Sequence, residues 1–169
     1  MKSFTIILFL ALATTILVAQ KKPLLTNGRI SFTFISKDVS GSIAGFESKS
    51  YIDLDNPSNS KFKGSVAVET LKTGISFRDW HLKGRKYFVE KEYPRITFES
   101  TEVKSDGGII KVTGKLTIKD ISKTTLFQFQ QKGKQLIGTT TLYTSDFGID
   151  IKKNRADNKV TVKIVLDVP

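Results

Sequence analysis

The chain contains no cysteine, one histidine and one tryptophan. Without cysteine, disulfides cannot hold the fold together, and a lipid-modified N-terminus of the bacterial kind is excluded. One histidine and no thiol leave a zinc-type site short of ligands, since zinc takes three or four nitrogen or sulfur donors. His81 has Asp79 two residues away and Ser76 nearby. A hydrolytic triad, however, needs a nucleophile held by a third group, and no Gly-x-Ser-x-Gly elbow is present. His81 is therefore read as a rim or structural residue, and neither catalysis nor a cofactor is expected. Arginine is also scarce: Arg29, Arg78, Arg85, Arg95 and Arg155 are the only ones among 27 basic residues. A nucleic-acid binder would concentrate arginine and aromatics on one surface, and no such partner is expected. Lys111, Lys115 and Lys119 instead alternate with apolar residues, as on the wet face of a strand. The net charge of +11 then speaks to solubility and to a positive surface field able to attract anionic lipid headgroups.

After residue 19 no run is apolar enough to span a bilayer. The first nineteen residues are different: a basic start at Lys2, an apolar stretch over 4–19, then Gln20-Lys21-Lys22-Pro23. That order is the order of a secretory signal peptide, and the stretch is shorter than the roughly 20 residues of a permanent anchor. Residues 1–19 are read as a cleaved leader, which makes the protein periplasmic or secreted. Residues 20–169 form one domain, long enough to bury a core unaided. No linker or repeat divides it.

Long helical periodicity is missing too, and period-two alternation takes its place. Eight strands are expected, over 28–36, 42–54, 61–70, 95–104, 110–119, 122–131, 135–143 and 159–168. The fifth is the cleanest, with Ile110, Val112, Gly114, Leu116 and Ile118 on one face and lysines and threonines on the other. Eight long alternating strands with short turns point to an all-β, extended eight-stranded antiparallel barrel, wide enough to pack its own side chains or to hold one slender ligand. The inward set includes Phe32, Phe34, Phe62, Val66, Val68, Ile96, Phe98, Val112, Leu116, Phe127, Phe129, Leu142, Val162 and Ile164. These residues either close-pack or line a bore for an apolar tail. Gly64, Gly114 and Gly138 fall on the same faces, and each is expected to leave room by omitting a side chain.

The run 70–100 breaks the alternation and holds both the tryptophan and the histidine. It reads as a long loop with a short helix within 77–88, covering one end of the barrel. Arg78, Asp79, Trp80, His81 and Arg85, with Lys83 and Lys86 beside them, are the candidates for contact with a ligand's head.

Thr73, Arg78-Asp79-x-His81-Leu82, Tyr87-Phe88 and Tyr93-Pro94-x-Ile96-x-Phe98-x-Ser100 form a specific block. With Gly114-x-Leu116-Thr117-Ile118 and Ser145-Asp146-Phe147-Gly148, it closely resembles the YceI-like family of lipocalin-like proteins, over about 28–168. The resemblance implies a lipocalin-like barrel, usually periplasmic, that encloses a long polyisoprenoid or similar amphiphilic lipid and performs no chemistry. Where the family often places an arginine before the Asp-Phe-Gly step, this chain has Thr144. The alternative is a filled barrel acting as an envelope stress-response or interaction module. Oligomeric state is not legible in the sequence.

Overall fold

The computed structural model describes residues 27–168, so the leader assigned to 1–19 lies outside the described residues. Nine strands and one short helix follow in order: β1 (Gly28–Phe34), β2 (Val39–Ile43), β3 (Glu47–Ser48), β4 (Lys63–Ala67), α1 (Ser76–Lys83), β5 (Arg95–Asp106), β6 (Ile109–Ile118), β7 (Ile121–Lys132), β8 (Gln135–Tyr143) and β9 (Lys159–Asp167). All pairings are antiparallel, in the order β2-β1-β9-β8-β7-β6-β5-β4-β3. The longest strands, β5 and β7, have 12 residues each. At about 3.3 Å per residue they reach roughly 40 Å, the extended shape that the alternation implies.

The two edge strands of this order, β2 and β3, are consecutive in the chain. Residues 44–46 join them, so the sheet curls until its edges meet in one bent segment. Hydrogen bonds complete the seam: Ser42 and Lys72 exchange a backbone pair at 2.9 and 3.0 Å, and Ala67 N–H donates to the Ala44 carbonyl at 3.0 Å. The strand expected over 42–54 is therefore two strands. Gly45 makes the corner with φ +65°, and a Cβ there would sit 2.6 Å from that of Ala67, so a side-chain-bearing residue is opposed both by backbone and by space. Arg95 ties this corner down. It donates to the Ser65 hydroxyl and the Gly45 carbonyl, each at 2.8 Å, and meets Glu47 at 3.1 Å.

The strand expected over 61–70 also ends early. A 3-10 turn over Val68–Thr70 takes Val68 out of the alternation. The β5–β6 and β7–β8 hairpin turns lie at one end of the barrel. At the other end lie the β1–β2 turn, the β6–β7 turn and the segment carrying α1. Ile52, Phe62, Ile110, Val112, Phe127, Phe129, Leu136, Leu166 and Val168 form a buried core toward the hairpin end. Complete burial of one such side chain is worth about 1.5–3 kcal/mol, so this cluster, larger than the two around Leu116 and Ile43, contributes more than either.

Candidate functional site

The barrel is not filled. A cavity of about 790 Å³ runs from the phenylalanines of the core to α1, with a wall that is overwhelmingly apolar. That volume lies within the 300–1,000 Å³ typical of small-molecule sites. Its floor is aromatic: Phe62 stacks on Phe129 at 5.1 Å, and Phe98 meets Phe127 edge-on at the same separation.

Of the residues expected to face a tail, Phe32, Phe34, Phe62, Val66, Ile96, Phe98, Leu116, Phe127, Phe129, Leu142, Val162 and Ile164 all border the cavity. Val68 and Val112 do not. Val68 is buried in the 3-10 turn away from the cavity, and Val112 is wholly enclosed by the core at the hairpin end. Expected inward glycines behave differently too. The Phe98 ring lies directly over Gly114, 2.5 Å from where a Cβ would stand, and the Phe129 ring covers Gly138 in the same way. Gly64 is crowded by the Glu47 carbonyl, 2.9 Å from a Cβ there. Gly114 and Gly138 thus seat neighbouring rings and do not open volume, whereas Gly64 does border the cavity. The open space comes from the distance between facing walls.

At the mouth, Phe77, Arg78, His81 and Leu82 of α1 border the cavity. Asp79, Trp80 and Arg85 do not border it. Arg78 and Asp79 instead form a clasp with Thr73, which is buried. The Thr73 hydroxyl and backbone N–H (2.8 Å) both donate to the Asp79 carboxylate, and Arg78 donates to the Thr73 hydroxyl and carbonyl, each at 2.6 Å. Asp79 thus orients the helix over the opening, with its charge turned to the clasp. Lys37, in the β1–β2 turn, borders the cavity and was not singled out in the sequence. Phe147, Ile149 and Ile151 were also missed, although they alternate within 147–151.

The wall is incomplete on one side. β7 and β8 pair only from Gln128↔Thr139 to Lys132↔Gln135, while β6–β7 and β8–β9 stay paired toward the mouth. Between the parted strands lies a polar groove of about 560 Å³, bordered by threonines, Lys123, Asp146 and Arg155. The Thr140 hydroxyl bridges it by donating to the Leu126 carbonyl at 2.7 Å. Leu142 and Phe147 border both spaces and so form the partition between them. Arg155 donates to both carboxylate oxygens of Asp146 at 2.6 Å, and its guanidinium lies 3.8 Å from the Tyr143 ring centre. The hydrogen bond from Arg155, reinforced by its charge and that of Lys123, holds the Asp146 carboxyl below the usual carboxylate range despite partial burial.

The model of the YceI-like domain matches residues 24–168. The chain belongs to the YceI-like family. A UPF0312 protein of Ectopseudomonas mendocina is 31% identical over 139 residues, covering 76% of this chain and 72% of that protein. A UPF0312 protein of Photorhabdus laumondii is 32% identical over 94 residues, and there the match spans about half of the relative, 49%, and 56% of this chain. Among solved structures, Burkholderia cenocepacia BcnA superposes with a TM-score of 0.72 at 21% identity, over 84% of this chain and 96% of that one. The Campylobacter jejuni YceI protein gives 0.65 at 22%, over 98% and 96%. A polyisoprenoid binding domain from Saccharophagus degradans gives 0.56 at 13%, over 85% and 94%. These likenesses establish the all-β, lipocalin-like barrel of the YceI-like fold.

Proposed function

We propose that this YceI-like chain binds a long-chain amphiphilic lipid, a polyisoprenoid foremost, and carries or sequesters it without chemical change. The observation that carries this reading is the long apolar cavity with its mouth beneath α1. Taking apolar chain out of water is worth about 0.8 kcal/mol per CH₂, so ten buried groups supply about 8 kcal/mol. One exposed ionic contact at the head supplies about 0.2–1 kcal/mol, so the tail governs affinity. Arg78, His81 and Lys37 stand where a head would emerge. The Saccharophagus neighbour, a polyisoprenoid binding domain by description, supports the choice of ligand class. Export by the leader would place the carrier in the periplasm or outside the cell. The filled-barrel alternative is disfavoured by the open volume.

Organic extraction of the purified protein followed by mass spectrometry tests the reading. A stoichiometric long-chain lipid is expected, or uptake of an added polyprenol by lipid-stripped protein. Ile164→Trp, which projects bulk into the cavity, should reduce that yield severalfold while thermal unfolding stays cooperative; Val162→Phe serves if the first fails to fold. Folded wild-type protein that neither yields nor takes up a long-chain lipid would refute the proposal.

A further inference from the structure

Five large apolar side chains are exposed among the described residues, and their distribution is uneven. Ile75, Phe77 and Trp80 are 54%, 72% and 68% exposed and lie together at and within α1, and Ile35 belongs to the β1–β2 turn at the same end. Only Leu126 lies on the barrel side. The rings at the mouth are mutually supported: Phe77 lies 6.1 Å from Trp80 and 5.6 Å from His81. Exposed apolar side chains gathered beside a cavity mouth mark an interaction surface.

The surrounding charge is positive. From 72 to 86 the chain offers Lys72, Arg78, Lys83, Arg85 and Lys86 against Asp79 alone, and Asp79 is occupied by the Thr73 clasp. Lys72, Arg85 and Lys86 are exposed, with no ion pair among the described residues. Glu69, Glu90 and Glu92 stand further along the cover, and the whole chain is +11. Aromatic side chains flanked by lysine and arginine are what the interface of an anionic bilayer takes up: rings enter at headgroup depth and cations meet the phosphates.

We infer that the α1 end is a membrane-docking face, on which Ile75, Phe77 and Trp80 enter the headgroup region of an anionic bilayer while Lys72, Arg85 and Lys86 hold the surface. Phe77 belongs to both the patch and the cavity mouth. A docked molecule therefore turns its mouth to the bilayer, and an apolar tail passes between the two without crossing water. The purpose rests on the carrier reading above; the docking itself rests on the patch and its charge.

Trp80 is the chain's single tryptophan, so its fluorescence reports on this face alone. The full-length mature protein is mixed with vesicles of phosphatidylcholine containing phosphatidylglycerol, and separately with pure phosphatidylcholine. With the anionic vesicles, the emission should shift to the blue, become shielded from an aqueous quencher, and the protein should co-sediment. Ile75→Ser and the pair Lys72→Gln, Arg85→Gln should each lower partitioning about tenfold. Neither variant touches the cavity, so lipid yield on extraction should be unchanged. Absence of partitioning by protein that retains lipid overturns docking and leaves the carrier reading standing; partitioning by protein that holds no lipid does the reverse. Equal partitioning onto neutral vesicles overturns the role of charge. A dimer in solution with Trp80 already shielded assigns the patch to a second copy and overturns the proposal.

Discussion

At the hairpin end of the barrel, Phe62, Phe127 and Phe129 pack on one another over Val112 and Leu136, both completely buried, and Gly138 lets a ring close against the sheet. At the mouth end one pair of neighbouring strands separates. β7 leaves β8, the cover replaces a sheet wall, and Val89 in that cover holds φ +50°, an unfavourable conformation for a β-branched residue. One alternating pattern thus serves two purposes. Where facing walls are close and aromatic it makes a packed floor that supplies stability, and where they are far apart it makes a lined space.

The sharpest way to break this contrast is to truncate one leucine at each end. Leu136→Ala empties a site with no slack and should cost about 3–5 kcal/mol, whereas Leu142→Ala, on the partition between cavity and groove, should cost under about 2 kcal/mol. Urea unfolding of the two variants measures both. Equal losses would mean that the mouth carries as much of the fold as the floor.

A smaller effect is expected at the cap. Thr73→Val removes the hydroxyl that donates to Asp79 and accepts from Arg78, leaving charged groups short of a partner at a buried position, at a cost of about 1–3 kcal/mol. Because the clasp joins the cap segment to α1 and not to the floor, the loss should appear as faster amide hydrogen exchange over 73–83, with β6 and β7 amides unchanged. Exchange that speeds equally throughout the sheet would show that the α1 cover and the barrel unfold as one unit.

The sequence disclosed this division only in part. The alternation in β6 gave its inward face correctly from Ile110 to Ile118, because strand geometry sends every second side chain to the same side. It did not distinguish Val112, which packs, from Leu116, which borders space, because that depends on what stands opposite across the barrel. Nor could composition foretell that Gly114 and Gly138 would lie beneath rings, since the rings come from neighbouring strands. Gly45 lies inside a run that alternates as a single strand, and only the structure makes it the corner at the seam of the barrel. Arg78 and Asp79 were found by their place in the cover; their mutual clasp through Thr73 needs three-dimensional proximity to see. The parting of β7 from β8 coincides with the polar runs 122–125 and 139–141, which interrupt the apolar alternation but do not say which neighbouring strand is lost.

The mildest test concerns that parting. Asp146 titrates below the ordinary carboxylate value because Arg155 hydrogen-bonds it, so as pH falls the unfolded chain takes up this proton before the folded one does. The pair's contribution is accordingly complete above the ordinary carboxylate range and disappears as pH falls through the lowered value in the folded protein. Arg155→Gln should lower the Tm slightly at neutral pH and converge with wild type in acid. The difference should be small because the Arg155 side chain is 59% exposed and solvent screens it. Scanning calorimetry of both proteins across the acidic range checks the sign. A gap that persists in acid would place the arginine's contribution in its stacking on Tyr143, and the split wall would then be held by packing and not by charge.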